Sequence, residues 1–300
     1  MKNLNIVERR KFISFVNKYA TIIFLFLLLG VRETIAQENV PLWKTLPEVP
    51  VLPKADDSGF ASVNNIQMYY AVFNEKGSDP VLLLHGGLVS SDVWGFEVPL
   101  LIKKHKVIIA DSRGHGRSTM SGQPLSYNLM ASDVLQLMNN LNIKKASIVG
   151  WSDGGIIGLI LAIKHPEKIN KLFVFGTNFN SSGDKDEPVD SAMSAHFMAQ
   201  AQANYRLHSP TPDSFFVLRK KLGAMYNKEP DLKPEEIKTI TAPTVISGGE
   251  YDQFIKREHF EKLAQLIPNA TLEIIPNVSH GGLLQDPLAF HKLVETFLDR

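Results

Sequence analysis

A serine with a glycine two residues away on either side stands in Gly150-Trp151-Ser152-Asp153-Gly154. This is the G-x-S-x-G pattern, a strand–turn–helix that lifts a nucleophilic hydroxyl clear of the chain. So sharp a turn holds the serine backbone in a sparsely populated conformation, a strain that functional sites tolerate. Neighbouring chain passes close at Gly150 and Gly154, which leaves no room for a side chain at either. The helix that follows aims its N-terminal N–H groups at the serine oxygen. Three fixed positions recur by chance, and the competing reading is a glycine-rich structural turn. The flanks favour the nucleophile: 147–149 (Ser-Ile-Val) reads as a buried strand and 156–163 as an apolar helix.

A serine hydroxyl becomes a nucleophile when a base takes its proton and a carboxylate orients that base. Nine histidines are available. His280 lies in Pro276-Asn-Val-Ser-His-Gly-Gly282, just past the last predicted strand, at the sheet end where the Ser152 turn also falls. His259 and His291 fall on predicted helices and read as surface residues, and His165 ends a helix. His85 and His115 lie in glycine loops ahead of the serine and read as structural. The carboxylate is expected from another strand end. Asp252, in Gly248-Gly-Glu-Tyr-Asp252, is the candidate, with Glu250 its rival. Asp153 adjoins the serine, so it cannot easily reach the far side of an imidazole bound to that serine. The order Ser152, Asp252, His280 is the one found on doubly wound hydrolase sheets.

A tetrahedral intermediate also needs donors for its oxyanion. The N–H of Asp153 is one candidate. The second comes from the loop after the strand 81–84, His85-Gly86-Gly87-Leu88, with Gly87 favoured and Leu88 the alternative. A plain tight turn is the competing reading of that loop.

These residues must be carried by a frame. The runs 80–84, 106–110, 147–149, 171–176, 242–247 and 270–275 are short and apolar, as strands buried on both faces of a parallel sheet are. A hairpin across Asn64-Asn65 joins 60–63 to Ile66–Phe73. Helices are predicted near Ser90 to Leu100, at 127–140 behind a Ser126 cap, and at 156–163, 256–267 and 287–298. The alternation predicts an α/β fold, a mostly parallel sheet with helices on both faces. The rhythm breaks over about 178–240, where helix-like stretches 191–207, 213–226 and 234–240 predict a helical cap.

The N-terminus reads as a secretory signal over 1–36. Lys2, Arg9, Arg10, Lys11 and Lys18 precede the apolar run 21–31, and Thr34-Ile35-Ala36 supplies the small residues of a cleavage site. The run falls short of the roughly 20 residues of a comfortable membrane span. An uncleaved membrane anchor is the alternative. Cleavage after Ala36 would remove six basic and two acidic residues, taking the formal charge from +1 to −3. A secreted or periplasmic location follows, with no membrane association after cleavage. Residues 37–59 carry Pro41, Pro47, Pro50 and Pro53 without periodicity and read as a surface-hugging leader before a domain over 60–300. The near-neutral charge offers no field for nucleic acid. The absence of cysteine excludes disulfides, thiol catalysis and Cys-ligated zinc. No metal or organic cofactor is implied, and no feature assigns an oligomeric state.

Five motifs in order resemble the alpha/beta-hydrolase superfamily. They are Leu-Leu-Leu-His-Gly-Gly (82–87), Asp-x-Arg-Gly-His-Gly-x-Ser (111–118), the Ser152 pentapeptide, Gly-Gly-Glu-x-Asp, and the final Ser-His-Gly. The resemblance covers roughly 60–300. Around the nucleophile, Gly-Trp-Ser-Asp-Gly-Gly with an Ile-rich helix is similar to the valacyclovir hydrolase (biphenyl hydrolase-like) group. There the acid after the nucleophile binds the ammonium of amino-acid esters, and Asp153 matches it. A carboxylate at a helix N-terminus also has a simpler account in the helix dipole. The resemblance implies a serine hydrolase acting on a small-molecule carboxylic ester through an acyl-enzyme. A lactonase or cofactor-free perhydrolase uses the same machinery, and a non-catalytic ligand-binding member is the alternative of another class.

Overall fold

The computed structural model describes residues 40–186 and 191–300. The predicted signal, 1–36, and the first three leader residues lie outside the described residues.

The described chain forms an eight-stranded sheet in the order β1-β2-β4-β3-β5-β6-β7-β8. Its strands are β1 (Asp57–Val63), β2 (Ile66–Phe73), β3 (Val81–Leu84), β4 (Val107–Ala110), β5 (Ala146–Trp151), β6 (Ile169–Phe175), β7 (Thr244–Gly249) and β8 (Ala270–Ile275). β2 pairs antiparallel with β1 and with β4, and the other pairs are parallel. The longer helices are α1 (Tyr127–Asn140), α2 (Asp153–Lys164), α3 (Ser191–His208), α4 (Phe215–Tyr226), α5 (Arg257–Leu266) and α6 (Pro287–Leu298).

Successive side chains of a strand point to opposite faces, and this chain divides accordingly. Leu82, Ile108, Ile148, Val174 and Ile246 enter one core with Val134 and Leu137 of α1, Ile157 and Ile160 of α2, and Phe260 of α5. Their neighbours Leu83, Ile109, Val149, Phe173 and Val245 enter the other, with Trp94 and with Phe290 and Val294 of α6. Each such side chain contributes about 1.5–3 kcal/mol on full burial. The central strands are therefore apolar on both faces, which explains their continuous hydrophobic runs.

Two elements differ from expectation. β1 begins at Asp57, inside the predicted leader, because the first two paired residues, Asp57 and Ser58, are exposed and polar and show no apolar alternation. The helix expected near Ser90 to Leu100 is instead a 3₁₀ turn, Ser91–Gly95, and a short helix, Val98–Leu101. Pro50 O packs against Gly95, a contact that a side chain there would block. The leader itself is packed: Leu46, Val49 and Leu52 lie against the second core.

The segment between β6 and β7 holds α3, α4 and the short helix Pro234–Ile237. Tyr205, Phe215, Leu218, Leu222 and Met225 join the first core, so these helices belong to the same apolar cluster as one face of the sheet.

Of two histidines expected at the surface, one is buried and the other is half-buried against a buried carboxylate. His259 on α5 is 4% exposed, stacks on Phe179 at 4.2 Å, and accepts the Phe179 N–H through Nε2 at 3.1 Å. Burial, then Lys262 and Lys256, lower its pKa to about 4. His291 on α6 pairs through Nδ1 with buried Glu97 at 3.0 Å. The partners lie 80 and 194 residues away in sequence, beyond the reach of helix periodicity.

Candidate active site

β5 ends at Trp151 and α2 begins at Asp153. Ser152 between them has φ 53° and ψ −117°. A non-glycine residue held there costs on the order of 1–3 kcal/mol and persists only where its surroundings over-determine it. They do. The Ser152 N–H donates to Phe175 O at 2.9 Å, and Ser152 O accepts from Gly155 N–H at 2.8 Å and Ile156 N–H at 3.1 Å. A side chain at Gly150 would lie 2.5 Å from Gly154 O, and one at Gly154 would collide with Leu84 O.

Past the ends of β7 and β8, two loops meet. Asp252, 2% exposed, sets Oδ2 at 2.9 Å from Nδ1 of His280. Its Oδ1 accepts the N–H groups of Phe254 and Ile255, both at 2.9 Å. The carboxylate can only accept, so His280 Nδ1 carries the proton and Nε2 keeps its lone pair. The backbone of His280 is held on both sides. Its N–H donates to Gln253 Oε1 at 3.1 Å, and its carbonyl accepts from Trp151 Nε1 at 2.8 Å. Gly176, at φ 61°, lies against the imidazole, and a side chain there would be 2.9 Å from Nδ1. Glu250 is exposed and accepts the Asn277 N–H at 2.8 Å, so the structure pairs Asp252 and not Glu250 with the histidine.

The loop after β3 closes on the serine turn. A side chain at Gly86 would lie 3.2 Å from Ser152 Cβ, and one at Gly87 would lie 2.8 Å from Asp153 Oδ2. His85, fully buried, braces this loop. Its Nδ1–H donates to Gly86 O at 2.7 Å, while Nε2 accepts the Ser112 N–H at 2.9 Å. Burial lowers its pKa, and burial together with His85 takes that of His115, 5.2 Å away, to about 3. Both rings are neutral, and His115 bonds Arg113 O within its own loop at 3.1 Å. Leu88 sits at φ 68°, in the left-handed region.

Asp153 is 5% exposed, and each of its oxygens is engaged. Tyr127 donates to Oδ1 at 2.7 Å and Tyr226 to Oδ2 at 2.8 Å. Burial raises the Asp153 pKa above the usual carboxylate range, opposed by the two hydroxyl donors. Burial and the Asp153 charge push both tyrosines well above their ordinary value, so they stay protonated donors. Tyr226 closes α4, and the Tyr127 N–H donates to Glu229 Oε2 at 2.8 Å. The helix-dipole account of Asp153 is thus incomplete. The tyrosines escaped sequence reasoning because they stand 26 and 73 residues from it, with no motif around either.

The sheet order, the helices inserted before β7 and the serine turn define the alpha/beta-hydrolase fold. The sequence signature of that fold matches residues 79–217. The chain is a distant relative of RutD of Caulobacter sp. (strain K31), with 28% identity over 77% of this chain and 95% of that protein. It is likewise related to the human serine hydrolase BPHL, with 29% identity over 80% of this chain and 86% of that protein. Among solved structures, the enol-lactonase from Burkholderia xenovorans LB400 superposes with a TM-score of 0.65 at 25% identity, over 80% of this chain and all of that one.

Proposed function

We propose that this chain is an exported hydrolase that cleaves a carboxylic ester through Ser152, His280 and Asp252. The observation that carries the reading is the Asp252–His280 pair, 2.9 Å apart, past the same strand ends as the strained Ser152 turn. Ser152 Oγ attacks the ester carbonyl as its proton passes to His280 Nε2. Asp252 holds the imidazole in the tautomer that can accept this proton and stabilises the imidazolium that results. The N–H groups of Gly87 and Asp153 stabilise the oxyanion, each worth about a hundred- to a thousandfold in rate. Collapse returns the proton to the departing alcohol and leaves the acyl group on Ser152. Water, deprotonated by His280, then releases the acid and restores the serine. The N-terminal signal pattern supports export, with cleavage after Ala36.

A second reading within this one is an amino-acid ester. The buried Asp153 carboxylate at the serine turn favours it, since two of its four lone-pair positions are taken by tyrosine hydroxyls. An ammonium would use the others. Purified protein beginning at Gln37 is to be tested on p-nitrophenyl esters, amino-acid esters and lactones, and on a carboxylic acid with hydrogen peroxide. Ester turnover that disappears in Ser152→Ala supports the reading. Turnover confined to lactones or to peroxide-dependent oxidation moves the activity to those reactions, and no turnover in any arm favours a ligand-binding member.

A further inference from the structure

The segment just before the sheet touches both candidate catalytic loops. Trp43 stacks on Tyr251, ring centroids 5.0 Å apart and planes within 16°, and Tyr251 directly precedes Asp252. Two residues on, Thr45 O accepts from Gln285 Nε2 at 2.8 Å. Gln285 is buried, and the rest of its amide is spent on the residue before His280. Its Oε1 accepts the Ser279 N–H at 2.7 Å, and Nε2 also donates to Ser279 Oγ at 2.9 Å.

The strap is itself shaped for this. Its 3₁₀ turn, Leu42–Lys44, is closed by the Thr45 N–H and hydroxyl, both donating to Leu42 O. That leaves Thr45 O turned to Gln285. Leu46, Val49 and Leu52 then anchor the strap to the core beneath.

We propose that residues 41–46 are a positioning strap for the acid and base loops, acting through Trp43 on the Asp252 loop and through Gln285 on the His280 loop. Neither residue touches substrate; both are positioning residues. The proposal rests on the triad reading above. Loss of the strap leaves the serine turn and the cap as they are, so substrate binding is retained while the imidazole is held less well. Displacements of about 1 Å at a reacting group cost up to roughly a hundredfold. A loosened loop is expected to cost part of that, about five- to twentyfold.

The test measures kcat, KM and the rate of labelling by a fluorophosphonate probe, with thermal unfolding alongside, for wild type, Trp43→Ala, Trp43→Phe and Gln285→Met. Labelling depends on the nucleophile and its base but on few substrate contacts. Expected are kcat and labelling rate lowered together in Trp43→Ala and Gln285→Met, KM within about twofold, and recovery in Trp43→Phe, which keeps a stacking ring. Folded Trp43→Ala and Gln285→Met proteins with wild-type labelling rates would overturn the strap, as would an effect confined to KM or to melting temperature. A wild type that is never labelled would instead overturn the triad reading.

Discussion

Tyr226, the last residue of α4, donates its hydroxyl to Asp153 Oδ2 at 2.8 Å, which ties the inserted helices to the residue directly after Ser152. Tyr226→Phe keeps the ring and removes the donor from a buried carboxylate. Leaving such a group with one donor fewer costs about 1–3 kcal/mol. Urea unfolding at neutral pH is expected to show that loss, and an unchanged midpoint would mean the bond contributes nothing to stability.

Asp153 also tests substrate choice. If it reads an ammonium, a charge-assisted hydrogen bond worth about 1.5–3 kcal/mol is at stake. Acetylating the amine of an amino-acid ester is then expected to lower kcat/KM by roughly ten- to a hundredfold on wild type and far less on Asp153→Asn. The same factor in both proteins would reduce Asp153 to a cap anchor.

The two rival carboxylates separate cleanly. Asp252→Asn is expected to lower kcat by roughly ten-thousandfold, the serine-protease precedent for a base held in the wrong tautomer. Glu250→Gln, whose carboxylate accepts the Asn277 N–H in an exposed turn, is expected to leave kcat within a fewfold. The opposite ranking would exchange their roles.

The parallel core and the serine turn were legible because their physics is local. Strands buried on both faces must be apolar at every position, and a left-handed serine needs glycines where chain passes close. Loop position also pointed to Asp252, the carboxylate that the structure sets beside His280. What stayed hidden depends on partners far apart in sequence: Phe179 for His259, Glu97 for His291, Tyr226 for Asp153, Thr45 for Gln285. Proline punctuation announced a leader along the surface, yet nothing local told that its backbone would be spent on a glutamine beside the candidate base.

His259 makes stability depend on pH. Its folded-state pKa, about 4, lies below the ordinary 6.5, so the unfolded chain takes up the proton first on acidification. The stability this residue contributes is complete above pH 6.5 and is lost as pH falls toward 4. His259→Gln keeps an acceptor for the Phe179 N–H without the titration. Between pH 7 and pH 4, wild type is expected to lose about 2–3 kcal/mol more than the variant in urea unfolding. Parallel losses would assign the acid sensitivity elsewhere.

The central claim is that Ser152 is the nucleophile of an intact triad. The most direct measurement is peptide mapping by mass spectrometry after reaction with a fluorophosphonate probe, on wild type, Ser152→Ala and His280→Ala. The account predicts one adduct per chain, on Ser152 in wild type, absent from folded Ser152→Ala and formed far more slowly in His280→Ala. An adduct on another residue, or a folded Ser152→Ala protein that still reacts and still hydrolyses ester, would contradict it.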